Sequence, residues 1–417
     1  MSKEFELFYP FDLTDPSRYH YKVIDGEYFD WLFSHLAGTG LTFLYRMNAA
    51  GRCYYPSRHM TMFDHASVDY GNPDAQYWHR VPEALEGSDL LAEAVQAAKR
   101  HGVKVWAWWN WNEWQNIRQG YIDLVDREWY DKPRKYWCSR DGSRFFCGVP
   151  DWGDEEVRQR LLALTDESLA YDIEGMYLST RSHSWWPCWP TPGWDEHLEP
   201  FGFNDSVVED YRKAYGVDIR FEDYDEDKWL EIKGRQFSTL LSRVGHRMHG
   251  KGKRFIIGIQ PDRYNLMVDY DKRPTVQALA EHLRLYKDWE AWAGEGSIDG
   301  ICAEKACPGE QELAGADISL FQETLPEGFP TYSWLDTTWW VNRGAGPFSL
   351  ENWCRGSVEE VLKQIDMAED SGAAGAFLHS LYHYTGCDTQ GRELQGYGVL
   401  PRTEYFDALR KRQGNRA

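Results

Sequence analysis

The chain has 417 residues, 42% of them hydrophobic and 21 of them tryptophan, and its formal net charge is −20 at pH 7. This length can bury a large core, and the negative charge argues against nucleic acid or an anionic membrane as the main partner. No apolar run approaches the roughly 18 residues that cross a membrane. The first residues lack the apolar stretch of a signal peptide, and the eight cysteines lack zinc-ligand spacing, which together predict a cytoplasmic protein with mostly reduced thiols.

The first half of the chain alternates between apolar β-rich segments and amphipathic helical segments. In chain order the predicted elements are a strand at 4–8, a helix at 27–36, a strand at 41–45, a helix at 88–100 with Ser88 as its N-cap, a strand at 103–108, a helix at 154–169 and a strand at 175–179.

The second half continues this alternation. Its predicted elements are a helix at 227–249, a strand at 254–259, a helix at 275–293 capped by Thr275, a strand at 298–302, a helix at 309–321, a strand at 329–334, a helix at 357–370 with a capping box from Ser357 to Glu360, a strand at 374–378 and a helix at 403–411.

Eight strand–helix units predict a parallel sheet closed into a (β/α)8 TIM barrel with long βα loops. We expect one domain over 1–417, with insertions at about 46–87, 110–152 and 180–226. The alternative, a doubly wound open sheet, is disfavoured because no glycine-rich phosphate loop follows any predicted strand.

The tryptophan-rich segment at 101–114, HGVKVWAWWNWNEW, is the most informative part of the sequence. Indole faces stack on the C–H faces of sugar rings, and amide and carboxylate groups bind sugar hydroxyls. The segment therefore predicts a carbohydrate site at the end of a barrel strand. A tryptophan-rich core strand followed by a surface loop explains the same residues.

Polar residues follow nearly every predicted strand after the first. Because the active site of a (β/α)8 barrel lies at the C-terminal ends of its strands, these residues are the site candidates. By strand they are Arg46 and Asn48; Trp108, Asn110, Asn112 and Glu113; Ser179, Arg181 and His183; Gln260, Asp262 and Arg263; Glu304 and Lys305; Asp336, Thr337, Trp339 and Trp340; and His379, Tyr382 and His383.

Three carboxylates among these candidates suit glycoside cleavage, which generally uses two carboxyl groups. Glu304 follows an apolar strand beside Lys305, and we assign it as the acid/base. Asp262 is assigned as nucleophile or electrostatic stabiliser, with Asp336 as its competitor. If each lies at a strand end, they converge on one cleft with Arg181 and His379.

The cations after different strands leave two interpretations open. Arg46, Arg181, Arg263, Lys305 and Arg343 either recognise an acidic glycan, such as a uronate or a sulfated sugar, or neutralise the acids of the rim.

Two other functions also stay open. One is a metal-dependent hydrolase or isomerase using His183, His379 and His383, which is weakly supported because no glutamate base accompanies the histidines. The other is a barrel that binds glycans without cleaving them. The leading prediction is a glycosidase with a carbohydrate substrate, no metal and no cofactor.

The segments VKVWAWWNWNEW, IEGMYLSTRSHS, IIGIQPDR and GAFLHSLYHY make the chain resemble the (β/α)8-barrel glycoside hydrolases, most of all the family-ten-like putative glycosidases. This resemblance implies a barrel and glycan hydrolysis. Many such barrels carry an Asn-Glu pair after the fourth strand that supplies the acid/base, whereas this chain has Ser179-Thr180-Arg181 there. The catalytic roles of those barrels are therefore not transferred, and retention through Asp262 is the expected stereochemistry.

Overall fold

The structure is a computed structural model that describes residues 5–14, 24–49, 51–68, 70–71, 79–118, 122–126, 128–129, 131–180, 199–266, 282–304, 313–336, 338–340, 353–355, 357–379 and 403–414. Within strands and helices, the side chains of 115–118, 122–125, 147, 313–317, 336, 338–340, 353–355 and 403 lie outside this description.

Eight parallel strands form a closed barrel in sequential order, which confirms the predicted (β/α)8 fold. They are β1 (Glu6–Phe11), β2 (Leu41–Arg46), β3 (Val105–Asn110), β4 (Gly175–Ser179), β5 (Arg254–Ile259), β6 (Gly300–Ala303), β7 (Thr331–Asp336) and β8 (Gly375–His379). The last strand pairs with the first, with Gly375 opposite Glu6, so this sheet has no free edge.

Helices follow the strands. They are α1 (Gly26–Leu36), α2 (Arg80–Leu85), α3 (Leu90–His101), α4 (Glu155–Ser168), α5 (Asp205–Tyr215), α6 (Glu226–Gly250), α7 (Trp289–Gly294), α8 (Leu313–Thr324), α9 (Val358–Asp370) and α10 (Thr403–Gly414). Among the described residues, no helix is both long and apolar enough to cross a membrane.

In the described part of the chain, four antiparallel hairpins lie in the connections that follow β2, β3 and β7, on the side of the barrel where strands end. They pair Asn48–Ala49 with Arg52–Cys53, Gln115–Arg118 with Ile122–Val125, Tyr136–Cys138 with Phe145–Pro150, and Thr338–Trp340 with Trp353–Arg355.

Two helices have N-caps other than the residues that the sequence predicted. The cap of α3 is Asp89 rather than Ser88, because the Asp89 carboxylate accepts a hydrogen bond from the Ala92 amide at 3.0 Å. The helix predicted at 275–293 is wrong over 283–288, where the backbone at 283 and 285 instead pairs with the backbone at 266 and 264. The helix begins only at α7, which Asp288 caps. The capping box from Ser357 to Glu360 is confirmed at α9.

Alternate residues of the strands fill the barrel interior. The buried cluster inside comprises Phe8, Leu44, Trp106, Trp108, Tyr177, Ile256, Cys302, Tyr332, Trp334 and Phe377, whereas neighbouring strand residues pack into a separate, larger cluster with the helices. Phe8 stacks on Phe377 at 4.3 Å, across the seam where β1 meets β8. The interior is therefore a packed aromatic core, and any reaction site has to lie above it.

Candidate functional site

A polar layer lies directly above the aromatic core, at the C-terminal ends of the strands, which we call the barrel mouth. Inward-facing positions recur every second residue along a strand. The residues that stand two positions after Leu44, Trp108, Tyr177, Cys302 and Phe377 therefore also face inward. The residues at those positions are Arg46, Asn110, Ser179, Glu304 and His379.

Glu304 directly follows β6 and is only 1% exposed. Its Oε1 accepts a hydrogen bond from the Tyr177 hydroxyl, and its Oε2 accepts one from Ser179 Oγ at 3.0 Å. Burial raises the pKa of Tyr177 well above its ordinary value, so its hydroxyl keeps the proton that it donates. Both carboxylate oxygens therefore have fixed positions at the mouth.

Gly258 on β5 makes room for this arrangement. A Cβ atom at Gly258 would lie 2.0 Å from the Tyr177 hydroxyl oxygen and 2.6 Å from Glu304 Oε1. Any side chain there would displace the pair, so the glycine is required by close approach.

A second buried glutamate, Glu113, lies in an ion-pair group at the ends of β1, β2 and β3. Arg46 donates from Nη2 to Glu113 Oε2 at 2.7 Å, and from Nη1 to Asp12. Asn110 Nδ2 also donates to Glu113 Oε2, at 2.8 Å. Burial alone would raise the pKa of Asp12, but the charge of Arg46 and hydrogen bonds from Thr14 and Arg46 outweigh burial and lower that pKa. Arg46 is thus neutralised by two acids.

The two glutamates are bound by neighbouring residues of adjacent strands. Asn110, which binds Glu113, is the register partner of Ser179, which binds Glu304. We call Asp12, Arg46, Asn110, Glu113, Ser179 and Glu304 the mouth cluster. Sequence reasoning missed Asp12 because the first strand was predicted to end at Phe8, whereas β1 runs to Phe11 and delivers Asp12 to the mouth.

Two asparagines brace the end of β3. The Asn48 amide binds both backbone groups of Asn110, donating to its carbonyl at 2.9 Å and accepting from its N–H at 3.0 Å. Asn112 Nδ2 donates to the Thr180 carbonyl at 2.9 Å. The side-chain oxygens of Asn110 and Asn112 are buried, and neither has a hydrogen-bond partner among the described residues.

The indoles of the tryptophan-rich segment are buried. Trp108 lies inside the barrel, 5.7 Å from Trp334, and Trp109 donates to Ser168 Oγ at 2.9 Å. Trp114 stacks on Trp129 at 5.3 Å, and Trp111 is equally buried. The buried positions of these four indoles favour the interpretation of the segment as a core strand rather than as a sugar-binding surface. A substrate contact by Trp108 stays a prediction and has no exposed ring face to support it.

Asp262 and Arg263 contact a different part of the molecule. The Asp262 carboxylate accepts hydrogen bonds from the amides of Tyr264 and Asn265 at 2.7 and 2.9 Å and so stabilises a turn. Arg263 pairs with Glu290, with its guanidinium 3.6 Å from the ring centre of Trp289. Neither has a described contact with the mouth cluster, so their assigned roles stay predictions without geometric support.

The remaining candidates are only partly described. His379 ends β8 and is half-buried, with its ring 4.9 Å from Trp334. The backbone of Asp336 ends β7 opposite His379, and that of Trp339 belongs to a hairpin. The other candidates lie outside the described residues: Arg181, His183, Lys305, Thr337, Arg343, Tyr382 and His383. Among the described residues, no group of three or more His, Cys, Asp or Glu side chains could hold a metal ion.

Comparison with known proteins identifies the fold. No family model matches the sequence, and no curated protein is similar to it in sequence. The structure is similar to the catalytic domain of a β-amylase from Paenibacillus polymyxa, with a TM-score of 0.50 and 12% identity over 91% of this chain and 93% of that one.

Two other solved structures have lower scores. One is the C-terminal domain of a putative chitinase from Desulfitobacterium hafniense, at a TM-score of 0.47 and 9% identity over 99% of this chain and 100% of that one. The other is an α-L-fucosidase from Lactobacillus casei, at a TM-score of 0.42 and 11% identity over 99% of this chain and 96% of that one. At these identities the β-amylase likeness shows a shared barrel fold and nothing finer.

Proposed function

We propose that this protein is a glycoside hydrolase that cleaves an oligosaccharide or polysaccharide. The observation that carries the proposal is a pair of buried glutamates at the mouth of a (β/α)8 barrel, Glu304 and Glu113. Ser179 binds Glu304 and Asn110 binds Glu113, and these two residues are register partners on adjacent strands. Glycoside cleavage generally uses two carboxyl groups on either side of the scissile bond, and barrel enzymes place their reacting groups at this end. The β-amylase of similar fold is itself named as a carbohydrate-cleaving enzyme.

Glu304 keeps its assignment as the acid/base that protonates the leaving oxygen. We assign the second role, nucleophile or activator of water, to Glu113 rather than to Asp262, because Asp262 is committed to a turn. The Arg46 guanidinium at 2.7 Å favours the charged form of a carboxylate, which this second role requires. Asp336 is the remaining alternative.

The stereochemistry follows from the separation of the two working carboxyl groups. A separation of about 5–5.5 Å accompanies retention, and about 6.5–9.5 Å accompanies inversion. The earlier preference for retention depended on Asp262 and loses its basis. Proton NMR of the first-formed anomer would decide between the two outcomes.

The test is the Glu304→Gln variant against a panel of glycans. The substitution keeps the shape of the side chain and removes its acidic proton, so turnover is expected to fall by about 10²–10⁴-fold while the melting temperature stays nearly constant. Glu290→Gln is the matched control, since Glu290 pairs with Arg263 away from the mouth cluster. Unchanged turnover in Glu304→Gln would move the acid/base role to Asp336.

The same experiment separates the other two functions. Glycan binding without cleavage by the unmodified protein would indicate a non-catalytic binding barrel. Loss of activity on chelation would indicate a metal-dependent hydrolase.

A further inference from the structure

We propose that Lys287 is a pH-sensitive clasp on the loop after β5: its uncharged amine ties the two ends of that loop together, and protonation of the amine lets the loop open. The loop comprises residues 260–266 and begins where β5 ends, at the barrel mouth. Such a clasp would act on the fold beside the mouth, whichever reaction takes place there.

The Lys287 side chain reaches back into this loop. Its amine donates to the carbonyl of Gln260 at 2.9 Å and to the carbonyl of Asn265 at 2.5 Å, close to the two ends of the loop. Lys287 is fully buried, whereas residues 260–265 are half-buried. Hydration of the amine therefore requires that these two contacts open.

The backbone of the loop is also paired with the segment 283–287, to which Lys287 belongs. Three backbone hydrogen bonds join the two, from Leu266 to Leu283, from Leu285 to Tyr264 and from Lys287 to Arg263, at 3.1, 2.9 and 3.0 Å. Opening of the loop would break these bonds. Exchange of their amide hydrogens with solvent therefore reports the opening.

The two carbonyls match the uncharged form of the amine. An uncharged amine has two N–H groups, whereas an ammonium has three. Among the described residues, Lys287 Nζ has no acceptor other than these two carbonyls and no carboxylate partner. Protonation would therefore bury a charge and leave one N–H group unsatisfied, and both are costly.

The charged groups of the loop and of α7 are engaged with other partners. Asp262 accepts hydrogen bonds from the amides of its own turn. Arg263 pairs with Glu290 of α7. Asp288 accepts a hydrogen bond from the Ala291 amide at 3.3 Å and so caps α7.

The charged groups on the remaining neighbouring elements are paired as well. Arg284, on the same segment as Lys287, pairs with Glu226 of α6 at 3.0 Å. Glu304, after β6, accepts hydrogen bonds from Tyr177 and Ser179. Of all these groups, Asp262 and Arg263 act on the amine electrostatically, with opposite signs.

These surroundings set the direction of the pH dependence. Burial lowers the pKa of Lys287 from 10.5 to about 7, with Asp262 opposing the shift and Arg263 adding to it. In the open loop water surrounds the amine, and its pKa returns to its ordinary value. As the pH falls from about 10 to about 7, the open form takes up a proton that the closed form does not, so the opening equilibrium rises by up to about tenfold per pH unit. Below about pH 6 both forms carry the proton, and the dependence ends.

The clasp adjoins the backbone that holds Glu304. The carbonyl of Ile259, which directly precedes Gln260, accepts a hydrogen bond from the Glu304 amide at 2.9 Å. The carbonyl of Gly258 accepts one from the Thr180 amide at 3.0 Å. Opening of the loop therefore begins one residue away from the hydrogen bond that positions the Glu304 backbone.

The test is hydrogen exchange of the unmodified full chain between pH 5.5 and 9.5, with each rate corrected for the intrinsic pH dependence of exchange. We expect the protection of the amides in 264–266 and 283–287 to fall by about 50–100-fold between pH 9.5 and 7.5, and to change little below about pH 6. The amides of β4 serve as the reference for global unfolding.

The Lys287→Met variant removes the amine and keeps the length of the side chain. The loop amides of this variant should show no pH dependence beyond that of β4. Lys135→Met is the matched control, because Lys135 pairs with Asp154 and Glu156 in the connection after β3. That variant should keep the pH profile of the unmodified protein.

Loop protection that varies with pH no more than that of β4 would overturn the proposal, as would an unchanged pH profile in Lys287→Met. If Lys287→Met does not fold, the profile of the unmodified protein decides alone. Neither outcome depends on whether glycans are cleaved, which Glu304→Gln tests separately.

Discussion

Glu304 is positioned by groups on two neighbouring strands. Tyr177 and Ser179 on β4 donate to its two oxygens, and Gly258 on β5 leaves the space in which they meet. The Tyr177 ring is itself fixed in the aromatic core, 4.5 Å from Phe377. The core beneath the mouth therefore determines the position of the carboxylate above it.

Tyr177→Phe removes one donor to Glu304 and keeps the packed ring. We expect turnover to fall by about tenfold. A hydrogen bond to the charged form of a carboxylate favours that form. Because the variant lacks this bond, the limb of the pH–rate profile that reports Glu304 should move to higher pH. The readouts are kcat against pH and the melting temperature.

Tyr45→Phe is the matched control for this variant. Tyr45 is also fully buried, and its hydroxyl donates to the Tyr54 carbonyl at 2.7 Å. That change should lower stability without moving the pH–rate profile. A profile unmoved in Tyr177→Phe would show that Tyr177 is a packing residue only.

The sequence predicted Glu304 and Arg46 at the mouth because strand ends can be found from apolar runs followed by polar residues. It could not predict how Asp262 or Asn48 would be used. Asp262 turns back to the amides of the next residues, and Asn48 binds the backbone of Asn110, 62 residues away. These hydrogen bonds depend on the loop conformation and on residues distant in the sequence, so the local sequence pattern does not predict them.

At the scale of elements, hydrophobic periodicity located the ends of the barrel strands to within two residues, except that β1 ends three residues beyond its predicted end. β4 and β5 match their predicted ranges, and β3 starts two residues late because Val103 closes α3 by donating to the Ala98 carbonyl. The predicted helix at 275–293 failed over 283–288 because the backbone there pairs with the loop after β5, which a local pattern does not reveal.

Asp151 lies in the long connection after β3 and contacts α5, which follows β4, and it supplies a test of pH dependence. It follows the hairpin strand Phe145–Pro150, accepts from Ser206 Oγ of α5 at 2.8 Å and accepts from the Gly153 amide at 3.0 Å. Burial raises the pKa of Asp151 from 3.8 to about 6, against the hydrogen bonds that lower it. The folded protein therefore holds this proton more tightly than the unfolded chain does.

This difference in proton affinity sets the direction in which the free energy of unfolding changes with pH. As the pH rises from about 4 to about 6, the unfolded chain ionises before the folded protein does, so this residue lowers the free energy of unfolding by up to about 3 kcal/mol. Asp151→Asn should remove this loss and raise the melting temperature at pH 8 more than at pH 4. Chemical denaturation at both pH values measures it.

Asp141→Asn is a control in which the pH dependence of stability should have the opposite sign. Hydrogen bonds from Ser139 and Ser143 lower the pKa of Asp141, so it contributes stability above pH 4 that is lost on acidification. Because Asp141 is exposed, its effect should be small. A melting temperature of Asp151→Asn that tracks the unmodified protein at every pH would contradict the assignment.

At the scale of the whole molecule, both ends of the described chain are part of the barrel. β1 pairs with β8, and α10 packs against α1 and α9. Arg410 of α10 donates to the carbonyls of His35 and Ala37 at the end of α1, at 2.6 and 3.0 Å. We expect the chain to unfold as one domain, since neither half of the barrel buries its strands without the other.

Arg410→Ala tests this expectation of a single domain. The substitution leaves two carbonyls at the end of α1 without their donor, which is expected to cost about 1–2 kcal/mol and, for a single unit of this length, to lower the melting temperature by about 1–2 °C. Arg100→Ala is the control, because its pair with Asp30 is exposed and should contribute little. If the chain is one cooperative unit, calorimetry of both variants shows a single transition that shifts as a whole only in Arg410→Ala. A second transition appearing at lower temperature, with the main one unmoved, would mean that α1 and α10 melt independently of the barrel.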